Sequence, residues 1–200
     1  MMTTPQRLAT LCSLLLLGAC GTSPPSAYYT LDDANFEYSQ DADTAIILGI
    51  GPIRVPEYLE RPQIVTRGDN SELLIDDFHR WAEPIVDAQH RIIAGNVDAL
   101  LDDVIVVSYP YRAVTSYEAK LVGRISRFDM DADGVTRLAV FWTVAFGDDE
   151  LLIRPRRSTY TIQGGDPSDP NSVAEAMSAA LTQFSRDIAD AFAAARTAIE

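Results

Sequence analysis

From Asn171 the chain reads NSVAEAMSAALTQFSRDIADAFAAARTAIE, with apolar positions recurring at three- and four-residue steps. Val173, Met177, Ala180, Leu181, Phe184, Ile188, Ala191, Phe192, Ala195 and Ile199 fall on one stripe, which predicts a long amphipathic helix. Ser172 and Glu175 have capping-box spacing at its start, and Asp166, Pro167 and Pro170 mark the loop before it. A second helical pattern covers Arg80 to Leu101, with Trp81, Ile85, Ala88, Ile92, Val97, Leu100 and Leu101 on its buried face. Pro84 fits a helix only in the first turn, where no backbone N–H is needed, and this places the start close to Trp81. Asp76 and Asp77 then lie just ahead of the positive end of the helix dipole.

The remaining runs are short, apolar and β-branched: TAIILGIGPIRV, QIVTR, ELLID, VIVVSY, EAKLVGRISRFD, VTRLAVFWTVAF and RRSTYTIQG. In the VTRLAVFWTVAF run, Leu138, Val140, Trp142, Val144 and Phe146 share one face. Asp133-Gly134 before it is a favoured hairpin turn, and GIGP at Gly49 to Pro52 reads as a strand with a bulge. Strands, helix, strands, helix predict an α+β domain: an antiparallel or mixed β-sheet with two long amphipathic helices packed on one face. No internal repeat or second linker divides it.

The start of the chain does not belong to that domain. A short segment with one positive charge, Arg7, precedes the apolar run LATLCSLLLLGA, which is shorter than the roughly 20 residues a spanning helix needs. Leu17-Gly18-Ala19-Cys20 then resembles the bacterial lipoprotein signal, in which Cys20 is the lipid attachment site and the new first residue. The expected organisation is a signal peptide over 1–19, the lipidated Cys with a short Pro/Ser linker over 20–27, and one domain over 28–200. Gly21, where Asp would retain a lipoprotein at the inner membrane, favours the outer membrane of a Gram-negative envelope, facing the periplasm. Seven extended linker residues reach about 25 Å at most, so the domain is held near the membrane surface.

Charge narrows the partners. The formal net charge is −13, and Lys120 is the only lysine. A nucleic-acid footprint is basic, so nucleic acid is excluded as a partner. Anionic headgroups repel such a chain, which leaves membrane attachment to the lipid. With Cys12 in the leader and Cys20 lipidated, the domain has no thiol chemistry and no disulfide.

Spacing decides among the candidate sites. Asp129, Asp131, Asp133 and Gly134 spell the start of a calcium loop, but its twelfth position is Val140 rather than an acid, so a polar hairpin tip is expected. His79 and His90 lack a third ligand at metal-site spacing, and Glu83 and Asp87 read as a solvated helix face. There is no G-x-S-x-G, P-loop or G-x-G-x-x-G, so neither a catalytic residue, a cofactor site nor a metal site is expected beyond the covalent lipid. Arg154 to Arg157, RPRR, is the one basic cluster: either an edge-strand decoration or a docking contact for an acidic partner.

VPEYLERPQIVTR at Val55 to Arg67 is dense in rigid and polar residues. Within it stand Pro56, Tyr58, Leu59, Glu60, Arg61, Pro62 and Gln63, and Arg80-Trp81-Ala82-Glu83-Pro84 follows. Together with Tyr28 to Asp32 and ISRFD…GVTRLAVFWTV, this combination resembles the ABC-type transport auxiliary lipoprotein family, of PqiC-like proteins. Glu60 departs from it, since Asp is expected there more often. The resemblance implies a non-enzymatic lipoprotein serving a transporter with an MCE-domain carrier, which moves phospholipid or other hydrophobic molecules between inner and outer membranes. It implies an MCE-domain protein as partner, a homo-oligomeric ring if the carrier has cyclic symmetry, and a buried Trp142. Tyr58, Arg61, Pro62 and Trp81 become the candidate docking or structural motif. The alternatives are a lipoprotein that assembles or plugs an outer-membrane β-barrel, and a periplasmic hydrolase.

Overall fold

The computed structural model describes residues 24–34, 46–102, 104–110, 112–114, 116–147 and 150–197. The signal peptide, Cys20 and Ile199 lie outside the described residues.

The elements in chain order are β1 (Ala27–Tyr29), β2 (Ile46–Arg54), a 3₁₀ turn (Glu57–Leu59), β3 (Gln63–Arg67), a second 3₁₀ turn (Asp69–Ser71), β4 (Leu73–Trp81), α1 (Ile85–Asp98), β5 (Val104–Ser108), β6 (Ala119–Met130), β7 (Thr136–Phe146), β8 (Glu150–Ile162) and α2 (Pro170–Thr197). The strands divide between two sheets, a three-stranded β1-β4-β3 and a five-stranded β5-β2-β6-β7-β8. Both are mixed: β1–β4, β2–β5 and β2–β6 are parallel, while β3–β4, β6–β7 and β7–β8 are antiparallel. The expected α+β class holds. α1 packs on β2 and β5, α2 packs on β6, β7 and β8, and the helices pack on each other.

The stripe predicted for α2 is the core. Val173, Met177, Ala180, Leu181, Phe184, Ile188, Ala191 and Phe192 are all buried. They meet Leu138, Val140, Trp142 and Val144 of β7, also buried, whereas Phe146 at the strand end is 38 % exposed. The capping-box expectation fails: the helix opens at Pro170, and Asp169 caps it by accepting from Asn171 N at 3.0 Å. Ser172 Oγ instead accepts from Asp166 N at 2.8 Å, fastening the preceding loop.

α1 also starts later than the pattern suggests. Trp81 belongs to β4, where it pairs with Tyr29 and donates its N–H to Pro62 O at 2.6 Å. Pro84 is the N-cap, in an extended conformation, and its carbonyl accepts from Asp87 N and Ala88 N. A proline disfavours helix in the residue before it, so Glu83 breaks the apparent pattern. Asp76 and Asp77 consequently sit inside β4, not at the helix dipole.

The bulge expected in GIGP is present. Register shifts between Ile50 and Ile53, with Gly51 at φ 119°. The N–H and C=O of Ile53 go to α1 instead: Ile53 N donates to His90 Nε2 at 2.9 Å, and Gln89 Nε2 donates to Ile53 O at 2.9 Å. A half-buried His90 that accepts at Nε2 is neutral, and its partial burial lowers its pKa. Both bonds pin β2 to the helix layer.

Asp131 organises the β6–β7 hairpin, its Oδ1 accepting from Asp133 N at 3.2 Å and Val135 N at 3.0 Å. Gly134 has φ 72°, and a Cβ there would stand 1.9 Å from Gly165 O. Gly134→Ala therefore adds backbone displacement to the roughly 1–2 kcal/mol of left-handed strain. Gly164 also has positive φ, 83°, but open space around it. In urea unfolding, Gly134→Ala is expected to lose clearly more stability than Gly164→Ala. Equal losses would remove the crowding argument.

A candidate docking cleft

Val55 is buried at the end of β2, and Pro56 then directs the chain into the 3₁₀ turn, where Leu59 N donates to Pro56 O at 2.9 Å. Leu59, 2 % exposed, plugs this turn into the core. Arg61 N donates to Leu59 O at 2.8 Å, turning the chain again so that Pro62 reaches the end of β4. Pro62 O then receives the Trp81 N–H. This one bond joins the two segments that the sequence singled out, nearly twenty positions apart.

Arg61, Pro62 and Trp81 line a single cleft of about 530 Å³, with Pro84, Ile85 and Val86 on its far wall. That volume lies within the usual range for small ligand pockets. Arg61 Nε is buried and has no hydrogen-bond partner among the described residues. Glu83 on the rim accepts from Arg91 Nη2, which also reaches Leu31 O at 3.3 Å. The lining holds no His, Ser, Thr or Cys, and its ionisable groups are Glu60, Arg61 and Glu83. The arrangement can receive an apolar group and offer one guanidinium to an acceptor.

Tyr58 goes elsewhere. The 3₁₀ turn rotates it away from the cleft, and its OH donates to Asp129 Oδ2 at 2.7 Å. Burial first, and the bond to Asp129 second, push the phenol up to about 12. Asp129 is fully buried and also receives Arg67 Nη2 at 2.8 Å and Arg127 Nε at 2.8 Å. Burial alone would raise the Asp129 pKa, but the bonds from Arg67, Tyr58 and Arg127 outweigh it and hold the carboxyl below its usual range. Asp131 is engaged by Arg137 and by the hairpin amides. The acidic run thus faces arginines and amides, not an open ion site. Sequence reading missed this network because Arg67 and Tyr58 approach from distant positions.

His79 Nδ1 lies 2.7 Å from Asp76 Oδ2, a local pair within β4. Arg154 to Arg157 lie exposed on β8, an edge strand of the larger sheet, with Arg156 stacked 5.6 Å from the Trp142 ring centroid. Trp142 itself is fully buried.

Two solved structures share the fold. One is a crystal structure of an uncharacterized protein, 18 % identical, covering 84 % of this chain and 98 % of its own, with a TM-score of 0.68. The other is protein XCC0632 from Xanthomonas campestris, of family DUF330, 17 % identical, covering 82 % of this chain and 90 % of its own, with a TM-score of 0.58. A comparison with curated proteins gives no significant match. The family described as the ABC-type transport auxiliary lipoprotein component matches residues 29–189, from β1 to the last turns of α2 and so including both walls of the cleft. The chain belongs to that family.

Proposed function

We propose that this auxiliary component is a non-enzymatic outer-membrane lipoprotein that docks the periplasmic end of an MCE-type lipid carrier. The observation that carries the reading is the family match over residues 29–189, nearly all of the folded domain, which supports taking that domain as the auxiliary unit itself. The Cys20 anchor would hold the domain at the membrane, where tethering raises the local concentration of a docking surface and lets weak contacts suffice. The cleft supports the reading as a place to receive an apolar side chain of the carrier, with Arg61 Nε as a buried donor that has no partner among the described residues. A carrier of cyclic symmetry would be met by a ring of these chains.

Pull-down of the anchored chain from detergent-solubilised native envelopes tests this. An MCE-domain protein should be recovered, and Arg61→Ala should reduce its recovery while leaving the thermal midpoint within about 2 °C, as expected of a change away from the core. Repeated recovery of a β-barrel in its place, or of neither, would sink the proposal.

A further inference from the structure

Cross-strand register exposes a feature that no linear motif shows. Arg54 of β2 is opposite Arg124 of β6, Arg124 is opposite Phe141 of β7, and Phe141 is opposite Arg157 of β8. Residues paired in register point to the same side of a sheet. The row runs across four adjacent strands, a span of roughly 14 Å at the usual strand spacing. It faces away from the helices: Phe141 alternates along β7 with the buried Val140 and Trp142. All three arginines are exposed, and Phe141 is 42 % exposed.

This row is expensive to keep for folding alone. Arg54 and Arg124 are like charges directly opposite each other, an unfavourable cross-strand pair. None of the three arginines has a salt-bridge partner among the described residues, whereas Arg67, Arg91, Arg127 and Arg137 all do. In a chain with 29 acidic and 16 basic residues, carboxylates are abundant, yet none of the described residues pairs with this row. Local rules broken without a compensating contact mark functional positions.

We propose that this face docks an extended acidic polypeptide segment of a partner protein, its carboxylates on Arg54, Arg124 and Arg157 and an apolar side chain on Phe141. The inference rests on the docking role above and names the chemistry of a second contact. Two observations favour a polypeptide over a bilayer. Arg124, Phe141 and Arg157 line a recess of about 410 Å³, which a chain enters and a planar headgroup surface does not. Ser126 and Thr159 hydroxyls line the same recess, adding neutral partners for a backbone. Phe and Arg are also both enriched at protein–protein interfaces. The RPRR run contributes only in part, since Arg157 joins the row and Arg156 stacks on Trp142.

Fluorescence anisotropy on the full anchored chain in detergent tests this, with a labelled dodecapeptide of alternating Glu and Leu as probe and its Lys-for-Glu counterpart as control. The Glu peptide should bind saturably and weaken with added salt, and the control should not bind. The double variant Arg124→Glu/Arg157→Glu should weaken binding by about tenfold or more, and Phe141→Ala by several-fold, with no fall in thermal midpoint for the double variant, which places Glu opposite Arg54. No saturable binding, or binding that ignores the double variant, overturns the proposal. So does saturable binding of a labelled dihexanoyl phosphatidylglycerol to a row that ignores the Glu peptide, which would assign the face to lipid. The two readings fail separately. If native pull-down recovers an MCE-domain protein equally with wild type and the double variant, the row is wrong and the transport role stands. If the Glu peptide binds the row but no MCE-domain protein is ever recovered, the row stands and the transport role fails.

Discussion

Replacing Asp129 with alanine should cost about 3–5 kcal/mol, the usual loss when one partner of a buried ion pair is removed. Its carboxylate is fully buried at the end of β6 and serves three donors: Tyr58 from the connector, Arg67 from β3 and Arg127 from its own strand. Those donors belong to both sheets, so the carboxylate fastens the small sheet to the large one. The arginine side chains are 25 % and 28 % exposed and can turn partly toward water, which places the expected loss toward the lower end of the range. For a domain of this length, about 3 kcal/mol corresponds to a fall of roughly 6–12 °C in melting temperature. Tyr58→Phe removes one of the bonds and should cost only about 1 kcal/mol. A melting curve of Asp129→Ala within 2 °C of wild type, where ~2 °C is the scale of a surface change, would mean that the sheets are held together by packing alone.

The same site sets a pH dependence whose sign follows from its pKa. The folded-state value lies below the ordinary carboxylate value. Its contribution is therefore fully present above the unfolded pKa of about 4 and is lost as pH falls through the folded value. Asp131 is lowered too, its burial outweighed by Arg137 and the Val135 amide, so both carboxylates steepen acid unfolding. Asp129→Asn should show a shallower loss of stability below about pH 4 than wild type, measured as urea midpoint against pH.

What the sequence made legible, and what it did not, divides along the range of the interactions. The α2 stripe and the β7 alternation could be read because each periodicity is the direct imprint of one buried face. The start of α1 could not, because Arg80 and Trp81 continue the helical spacing while their backbone groups are claimed by β1 and β3. Asp129, Asp131 and Asp133 look like ion ligands only until their long-range partners are known; Arg67 is 62 positions from Asp129. The candidate motif split for the same reason. Arg61, Pro62 and Trp81 converge on one cleft, while Tyr58, one 3₁₀ turn earlier, points to the ionic network. The Arg54-Arg124-Phe141-Arg157 row was invisible without strand register, since only Arg157 lay in a recognisable cluster.

Trp142→Ala should be equally damaging, by about 3–5 kcal/mol, the range for removing a large aromatic from a packed core. The indole is fully buried and meets Phe184 of α2 edge-on, with ring centroids 5.6 Å apart. Its Nε1 donates to Ser158 Oγ at 3.1 Å, Ser158 Oγ donates to Asp187 Oδ2 at 3.2 Å, and Tyr160 OH donates to the same oxygen at 2.6 Å. Tyr160 also packs against Phe184, 5.7 Å between centroids. One side chain thus joins β7, β8 and α2 through both shape and polarity. Trp142→Phe separates the two contributions. It keeps much of the apolar volume but leaves Ser158 without its indole donor, and it should cost roughly half of the alanine loss if packing dominates. If Trp142→Phe proves as destabilising as Trp142→Ala in urea unfolding, the hydrogen-bonded chain to Asp187, rather than the volume of the ring, is what holds α2 onto the sheet.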